Sequence, residues 1–419
     1  MSNIDSGQRA VTDERGRSPL GERIPIGDGG LLWRRVPGTE VDAAELPPLV
    51  ELLRRGFNGG PTWFELPVSH AEHVAWRLAA PGAGELSTVQ DGERTVWMQV
   101  VWRRPFLLDG RERAVRLGGG MVLDPDLQGR GLYRTISAMK DRNYDVGYDF
   151  SIAYSAHPVT VHLSRSLTRE TGRTPRVYLG NPIATFRRPL SLRRAADSAA
   201  PAEADAGVSV SKTHAVLASS GQRRRPAVAR DLAWRWRYLA GEARGALSSR
   251  REAAWSVRAV PAFDARVEGL FREAASGFDL IQMRDAAYLN WRYCDPRGGP
   301  YTILVAEEGG ALLGYAALLL AGGWAALADL LVLPGRDDVA YSLLRAAVAR
   351  AKASPAAEVR AWLPARHAYR PALERAGFHA VRAPGIGQFR ALDMPLDELA
   401  TVASPDARVH LMLGDSDYI

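Results

Sequence analysis

The chain has one cysteine, Cys294, in 419 residues. A single thiol excludes an internal disulfide framework and any zinc site built from several cysteines; it suits a reducing compartment and a space-filling role. Lysine is almost as scarce: of 54 basic residues only Lys140, Lys212 and Lys352 are lysines, the rest arginine. The net charge of +7 is a weak field for such a length, without the clustered basic stripe of a nucleic-acid binder. Nucleic acid is therefore not an expected partner, whereas an anionic donor or substrate is welcome. Residues 1–25 lack an apolar core segment; rich in Gly, Ser and Arg, they read as a disordered tail without a signal peptide. The apolar stretch 311–333 is interrupted by Gly322-Gly323 and Asp329. A charge near the bilayer centre costs about 3 kcal/mol, so two buried strands meeting at the glycine pair fit better than a membrane span. The expectation is a soluble, cytoplasmic protein with no membrane partner. Also missing are a Gly-x-Ser-x-Gly elbow, a Walker loop and a Gly-x-Gly-x-x-Gly fingerprint.

What is present is a folded composition, 46% hydrophobic and 24% charged, at a length that suits two or three domains. The chain repeats itself faintly. VELLRR at 50–55 resembles VEGLFR at 267–272, and the segment from His73 resembles the segment from Tyr288. Both segments carry a Trp-Arg pair (Trp76-Arg77, Trp291-Arg292), then a Pro/Gly turn, a strand, a charged-Gly turn and a second strand. LDPD at 123–126 falls near VLPG at 332–335, and His157 near His367. Four matches in order, at offsets of 209 to 217, argue duplication of one unit. Helix, hairpin, central strand, helix, strand and helix interleave in each copy, which predicts an α/β fold with a mixed sheet. The expected division is a tail at 1–25, one domain at 26–193, an Ala/Ser/Asp-rich linker at 194–230, a second domain at 231–398 and a tail at 399–419.

In the first copy an apolar strand ends at Asp124-Pro125 and runs into DLQGRGLY. Loop amides that open a helix point several N–H donors at one place, together with the positive end of the helix dipole. Glycine lets the backbone approach a diphosphate closely, and Arg130 adds charge. The candidate anion-binding residues are Val122, Leu123, Gln128, Gly129, Arg130, Gly131, Leu132 and Tyr133. The second copy lacks this loop: Asp337-Asp338 stand in its place and would repel a diphosphate, although acids are favoured at a helix N-terminus.

LDPDLQGRGLY resembles the acyl-CoA-binding signature of the GNAT (GCN5-related N-acetyltransferase) superfamily, Gln/Arg-x-x-Gly-x-Gly/Ala. Gln128 and Gly131 match, and Tyr133 stands where Gly or Ala is usual. The resemblance covers most of 30–190 and, more faintly, 255–390, where ERAGF at 374–378 looks like the end of the family's fourth helix. It implies two GNAT-like domains in tandem, each a twisted mixed sheet flanked by helices, with one acyl-CoA site in the first and a degenerate second. It also implies acetyl-CoA, or another acyl-CoA, as donor and an amine as acceptor. Further implied are a splay between the family's fourth and fifth strands that grips the pantetheine and a carbonyl-polarising backbone amide near Val122-Leu123.

The proton chemistry is less marked. No carboxylate lies within AVRLGGGMVL at 114–123, where many GNAT proteins keep a base. The candidates are Tyr154, which alternates with Ile152 and serves equally for packing, His157 beside Pro158, and His162. Trp63, Trp76 and Trp97 suit either an acceptor pocket or core packing. The ending LMLGDSDYI offers Asp415 and Asp417 either as carboxylates docked over a cleft or, the favoured reading, as a frayed polar terminus. No metal site is expected: His70, Glu72 and His73 lack further ligands at metal spacing. The activity expected is acyl-CoA-dependent N-acyl transfer to a small-molecule amine such as an amino sugar or specialised metabolite. The rivals are an aminoacyl-tRNA-dependent transferase of the peptidoglycan type and a non-catalytic acyl-CoA sensor.

Overall fold

The computed structural model describes residues 21–26, 30–57, 66–82, 84–144, 147–155, 174–191, 227–247 and 255–416. The first half contains β1 (Arg23–Ile26), β2 (Leu31–Pro37), α1 (Leu46–Gly56), α2 (His70–Leu78), β3 (Gly84–Asp91), β4 (Arg94–Leu108) and β5 (Arg111–Leu123). It continues through α3 (Leu132–Tyr144), β6 (Phe150–Ser155), β7 (Arg176–Tyr178) and β8 (Ile183–Pro189). After α4 (Ala227–Leu247) the second half runs β9 (Ser256–Val260), α5 (Arg266–Ala275), β10 (Leu280–Gln282), β11 (Tyr301–Glu308), β12 (Ala311–Ala321) and β13 (Trp324–Val332). It ends with α6 (Asp337–Lys352), β14 (Glu358–Pro364), α7 (Arg370–Arg375), β15 (His379–Ala391) and β16 (Val409–His410). This is a mixed α/β architecture, as the interleaved pattern predicts, and no helix among the described residues is long and apolar enough to cross a membrane. Two expected boundaries move. Residues 23–25, assigned to the tail, form β1 against β2, and α4 begins at Ala227, inside the expected linker.

Local chemistry accounts for the elements that frame the site. Helix α1 starts on Pro47-Pro48, where a missing N–H costs nothing, and buries Leu49, Leu52, Leu53 and Gly56 along one face. A Ser69–Glu72 capping box opens α2. The β4–β5 turn puts Asp109 at φ 50° and Gly110 at φ 74°, and the β11–β12 turn puts Gly309 and Gly310 at φ 56° and 86°. Positive φ at both central residues is what a tight hairpin requires. The apolar stretch 311–333 is indeed β12 and β13, joined at Gly322-Gly323.

The strands follow the order β1-β2-β3-β4-β5-β6-β15-β8-β14-β13-β12-β11-β9. The duplicated units have exchanged their closing strands. β15, from the second half, pairs antiparallel with β6, and β8, from the first half, pairs antiparallel with β14. Each half is thus completed by the other. The same parallel pairing recurs in both: β5 meets β6 only at residues 115–117, and β13 meets β14 only at 325–327. Beyond these three pairs each couple of strands diverges.

The repeat also holds the halves together. Trp76 and Trp291, equivalent in the two copies, stack with ring centroids 4.6 Å apart at 16°. Each indole N–H donates to the other residue's backbone carbonyl, at 3.1 and 3.2 Å. Such reciprocity is the signature of a two-fold interface, here within one chain. A double-mutant cycle of Trp76→Ala and Trp291→Ala is expected to give a coupling of about 1 kcal/mol in urea unfolding, because each substitution removes the same stack; additive losses would count against it.

Candidate functional site

Strand β5 ends at Leu123, and the chain turns at Asp124. This carboxylate is 1% exposed, receives two hydrogen bonds from Arg55 (3.0 and 3.1 Å), binds Arg94 and caps the amide of Asp126 at 3.0 Å. Arg55 also reaches Asp126 at 2.8 Å. These contacts fix the corner from which the loop departs; Asp124 and its arginines carry no motif signal, since Arg55 and Arg94 are distant in sequence. Gly129 and Gly131 sit at φ 78° and 76°, conformations that suit glycine, and a Cβ on either would meet nothing within 4 Å. Residues 128–131 are exposed, while Leu132 and Tyr133 are half-buried. The amides of 129–133 donate to no backbone carbonyl among the described residues, while Arg134 already bonds back to the Gly131 carbonyl at 2.9 Å. An accessible row of N–H donors at the start of α3, beside Arg130, is an arrangement that favours negative charge. Gln128 reaches back along the loop, its side-chain amide donating to the Leu123 carbonyl at 3.3 Å.

The divergence of β5 from β6 opens into a cleft between the halves. Leu117 and Gly118 of β5 line it with Ile152 and Tyr154 of β6, and the stacked Trp76 and Trp291 line it too. Between Gly118 and the end of β5 the strand rises about 17 Å. Loop and cleft are therefore two ends of one strand edge. Tyr154 lines the cleft and is half-buried, whereas His157, His162 and Trp63 lie outside the described residues. Trp97 is core, packed with Trp33 and Ile136. His73 packs beside Trp76, its Nδ1 2.7 Å from the Arg297 carbonyl, and burial pulls its pKa down to about 3. No metal-binding cluster occurs among the described residues. Burial pushes the Cys294 thiol up to about 11, as a space-filling cysteine requires.

The reading of the ending as a frayed terminus is overturned. Through Ser416 the chain is packed, because residues 409–415 fill the divergence between β13 and β14. β16 pairs with β10, Leu413 packs with Ala326 and Ala328, and a Cβ on Gly414 would strike the Tyr293 hydroxyl at 2.0 Å. Asp415, 3% exposed, lines the cleft but is held by Arg284, which bonds both its oxygens at 2.9 and 3.0 Å, and by the Met412 amide. Arg284 simultaneously grips Asp329 at 2.9 and 3.2 Å, and Tyr315 donates to Asp329 at 2.7 Å. Burial raises the Asp415 carboxyl; burial works the same way on Asp329, but Arg284 and His410 pull that group below the usual carboxylate range. Asp417 lies outside the described residues. In the second half, then, the gap between the parallel strands is occupied by the chain itself. Asp337 and Asp338 open α6 there, Asp338 bonded by Arg336 at 3.0 Å.

Two outcomes are expected. Gly131→Glu introduces a charge into the loop and strains a positive φ by about 1–2 kcal/mol; calorimetry should show coenzyme A binding lost while the chain still melts cooperatively. His73 is neutral in the fold down to about pH 3, whereas in the unfolded chain it takes a proton near pH 6.5, so its contribution to stability is lost as pH falls through that window. Urea unfolding of His73→Gln should show a pH slope between 6 and 4 shallower than the parent's by up to about 1.4 kcal/mol per unit.

The arrangement is matched by solved structures. Saccharomyces cerevisiae N-myristoyltransferase with bound myristoyl-CoA aligns with a TM-score of 0.53 over 94% of this chain and 85% of its own, at 13% identity. A GCN5-related N-acetyltransferase from Anabaena variabilis ATCC 29413 aligns with a TM-score of 0.51 over 86% and 73%, at 10% identity. A conserved protein of unknown function from Enterococcus faecalis V583, described as a probable N-acyltransferase, aligns with a TM-score of 0.51 over 88% and 74%, also at 10%. No protein-family model matches the sequence, and no curated protein matches it. At such identities the likeness is one of fold: the chain has the GNAT fold, aligned over most of its length with these structures.

Proposed function

We propose that the protein is an acyl-CoA-dependent N-acyltransferase with one donor site, in the first half. The observation that carries this reading is the open loop at 129–133, its amides without backbone partners, at the end of a strand that parts from its parallel neighbour. In this reading residues 129–133, with Arg130, hold the diphosphate, Gln128 braces the loop, and the pantetheine follows β5 toward the cleft. The backbone near Val122-Leu123 donates to the thioester carbonyl. The blocked gap between β13 and β14 supports a single donor site per chain.

The acceptor is a small-molecule amine. Its neutral nitrogen attacks the thioester carbonyl, the C–S bond breaks, and the amine's extra proton passes to solvent or a nearby base. Tyr154, at the cleft wall on β6, gives its proton to the departing thiolate; His157 and His162, beyond β6, are proposed for the amine's proton. Holding amine and thioester together supplies about 7–11 kcal/mol, so a site can work without a strong base. Acetyl is proposed as the acyl group, and myristoyl-CoA serves as the long-chain comparison.

The test is thiol release from acetyl-CoA and myristoyl-CoA by the full chain against an amine panel. Turnover is expected with acetyl-CoA, and Tyr154→Phe should lower kcat ten- to a hundredfold with the donor KM unchanged. Coenzyme A binding with no thiol release on any amine would leave a sensor. Binding of aminoacyl-tRNA, with no acetyl-CoA shift in Tm, would leave the tRNA-dependent reading.

A further inference from the structure

We infer that the amine acceptor also carries a carboxylate, held by Arg104 and Gln282, so that the substrate class is an amino acid or a related amino carboxylate. The inference rests on the acyl-transfer reading for what the amine does, but its own basis is the far wall of the cleft. Arg104, on β4, is 5% exposed and lines the cleft. One Nη donates to the Pro81 carbonyl at 2.6 Å, and the guanidinium lies over the rings of Trp291 and Tyr288 at 4.7 and 4.9 Å. No carboxylate among the described residues lies within salt-bridge distance of it. Burial works against its charge and pulls its pKa down to about 10, with Tyr288 and the more distant Asp285 carboxylate opposing and the nearby Arg292 adding to the fall.

Gln282 is the second observation. It is 1% exposed and lines the same cleft, and neither its Nε2 nor its Oε1 has a hydrogen-bond partner among the described residues. β10 pairs with β4 so that Gln282 stands opposite Phe106. Arg104, two residues along from Phe106, is therefore its diagonal neighbour on the same face, within reach of long side chains. The only acidic side chain lining the cleft among the described residues, Asp415, is already bonded by Arg284. A buried guanidinium without a bonded carboxylate and a buried amide without a partner among the described residues are each unfavourable alone. One planar carboxylate satisfies both, taking the guanidinium fork on its oxygens and an N–H from the amide. The wall formed by Leu117, Gly118, Ile152 and Tyr154 continues the same cleft to the parting strands, so an amine anchored by its acid end projects toward the donor.

The experiment compares the common amino acids with their α-amides and their decarboxylated amines, using the full chain and acetyl-CoA. Thiol release should favour at least one acid over its own amide by thirtyfold or more in kcat/KM. Arg104→Gln should bring that ratio close to one with the acetyl-CoA KM unchanged. Gln282→Leu should weaken acceptor binding about tenfold while Tm holds or rises, because it removes two unsatisfied atoms; a purely structural glutamine would instead lower Tm. Amides and amines turned over as well as the acids, or a ratio unmoved by Arg104→Gln, would overturn the inference and leave acyl transfer standing. If nothing in the panel releases thiol, the acyl-transfer reading fails, and calorimetry with the same compounds decides the site. Acid-selective binding lost in Arg104→Gln supports it, and equal or absent binding of acid and amide overturns it.

Discussion

Backbone hydrogen bonding governs this molecule. A parallel strand pair that stops after three residues leaves two strand edges turning away from each other, and something must occupy the gap or water must fill it. In the first half β6 leaves β5 after Leu117, and the gap opens into the cleft between the halves. In the second half β14 leaves β13 after Leu327, and the chain's own residues 409–415 fill the space. One geometry, duplicated, has met two fates, and the difference lies in what was fed into the gap.

The filling is held by charge as well as packing. Arg284 is wholly buried between Asp329 and Asp415, so one guanidinium serves two carboxylates and ties the chain's last described turn to β13. Removing one member of such a buried group typically costs about 3–5 kcal/mol, because the remaining charges lose their compensation. The open cleft has the opposite balance, with Arg104 buried against aromatic faces and no carboxylate bonded to it among the described residues. The scarcity of lysine is consistent with this use of basic residues: a planar, weakly hydrated guanidinium stacks on Trp and Tyr rings where an ammonium would demand water.

The exchange of β8 and β15 makes the halves interdependent, and the reciprocal Trp76–Trp291 contact lies on their shared axis. A cleft built at such an axis is lined by both copies. The structural difference between the halves therefore does not come from the frame, which is common to both. It comes from the glycine loop after β5, from Asp337-Asp338 opening α6, and from residues 409–415.

Much of this was legible in the sequence for a local reason. Alternating apolar residues, Gly and Asp at hairpin turns, and a glycine pair between a strand and a helix act within a few residues, so the α/β class, the duplication and the loop at 129–133 could be read directly. The Trp-Arg pairs marked the repeat, but nothing local said that Trp76 and Trp291 would stack on each other. The strand exchange, the placing of Arg104 and Gln282 on one cleft wall, the clamp of Arg55 and Arg94 on Asp124, and the burial of Asp415 join residues tens to hundreds of positions apart. The polar ending looked frayed because its partner Arg284 lies 131 residues earlier. Side-chain period and turn chemistry are properties of a short stretch of chain; which charge meets which, and which gap is filled, is settled only when distant strands come together in one sheet.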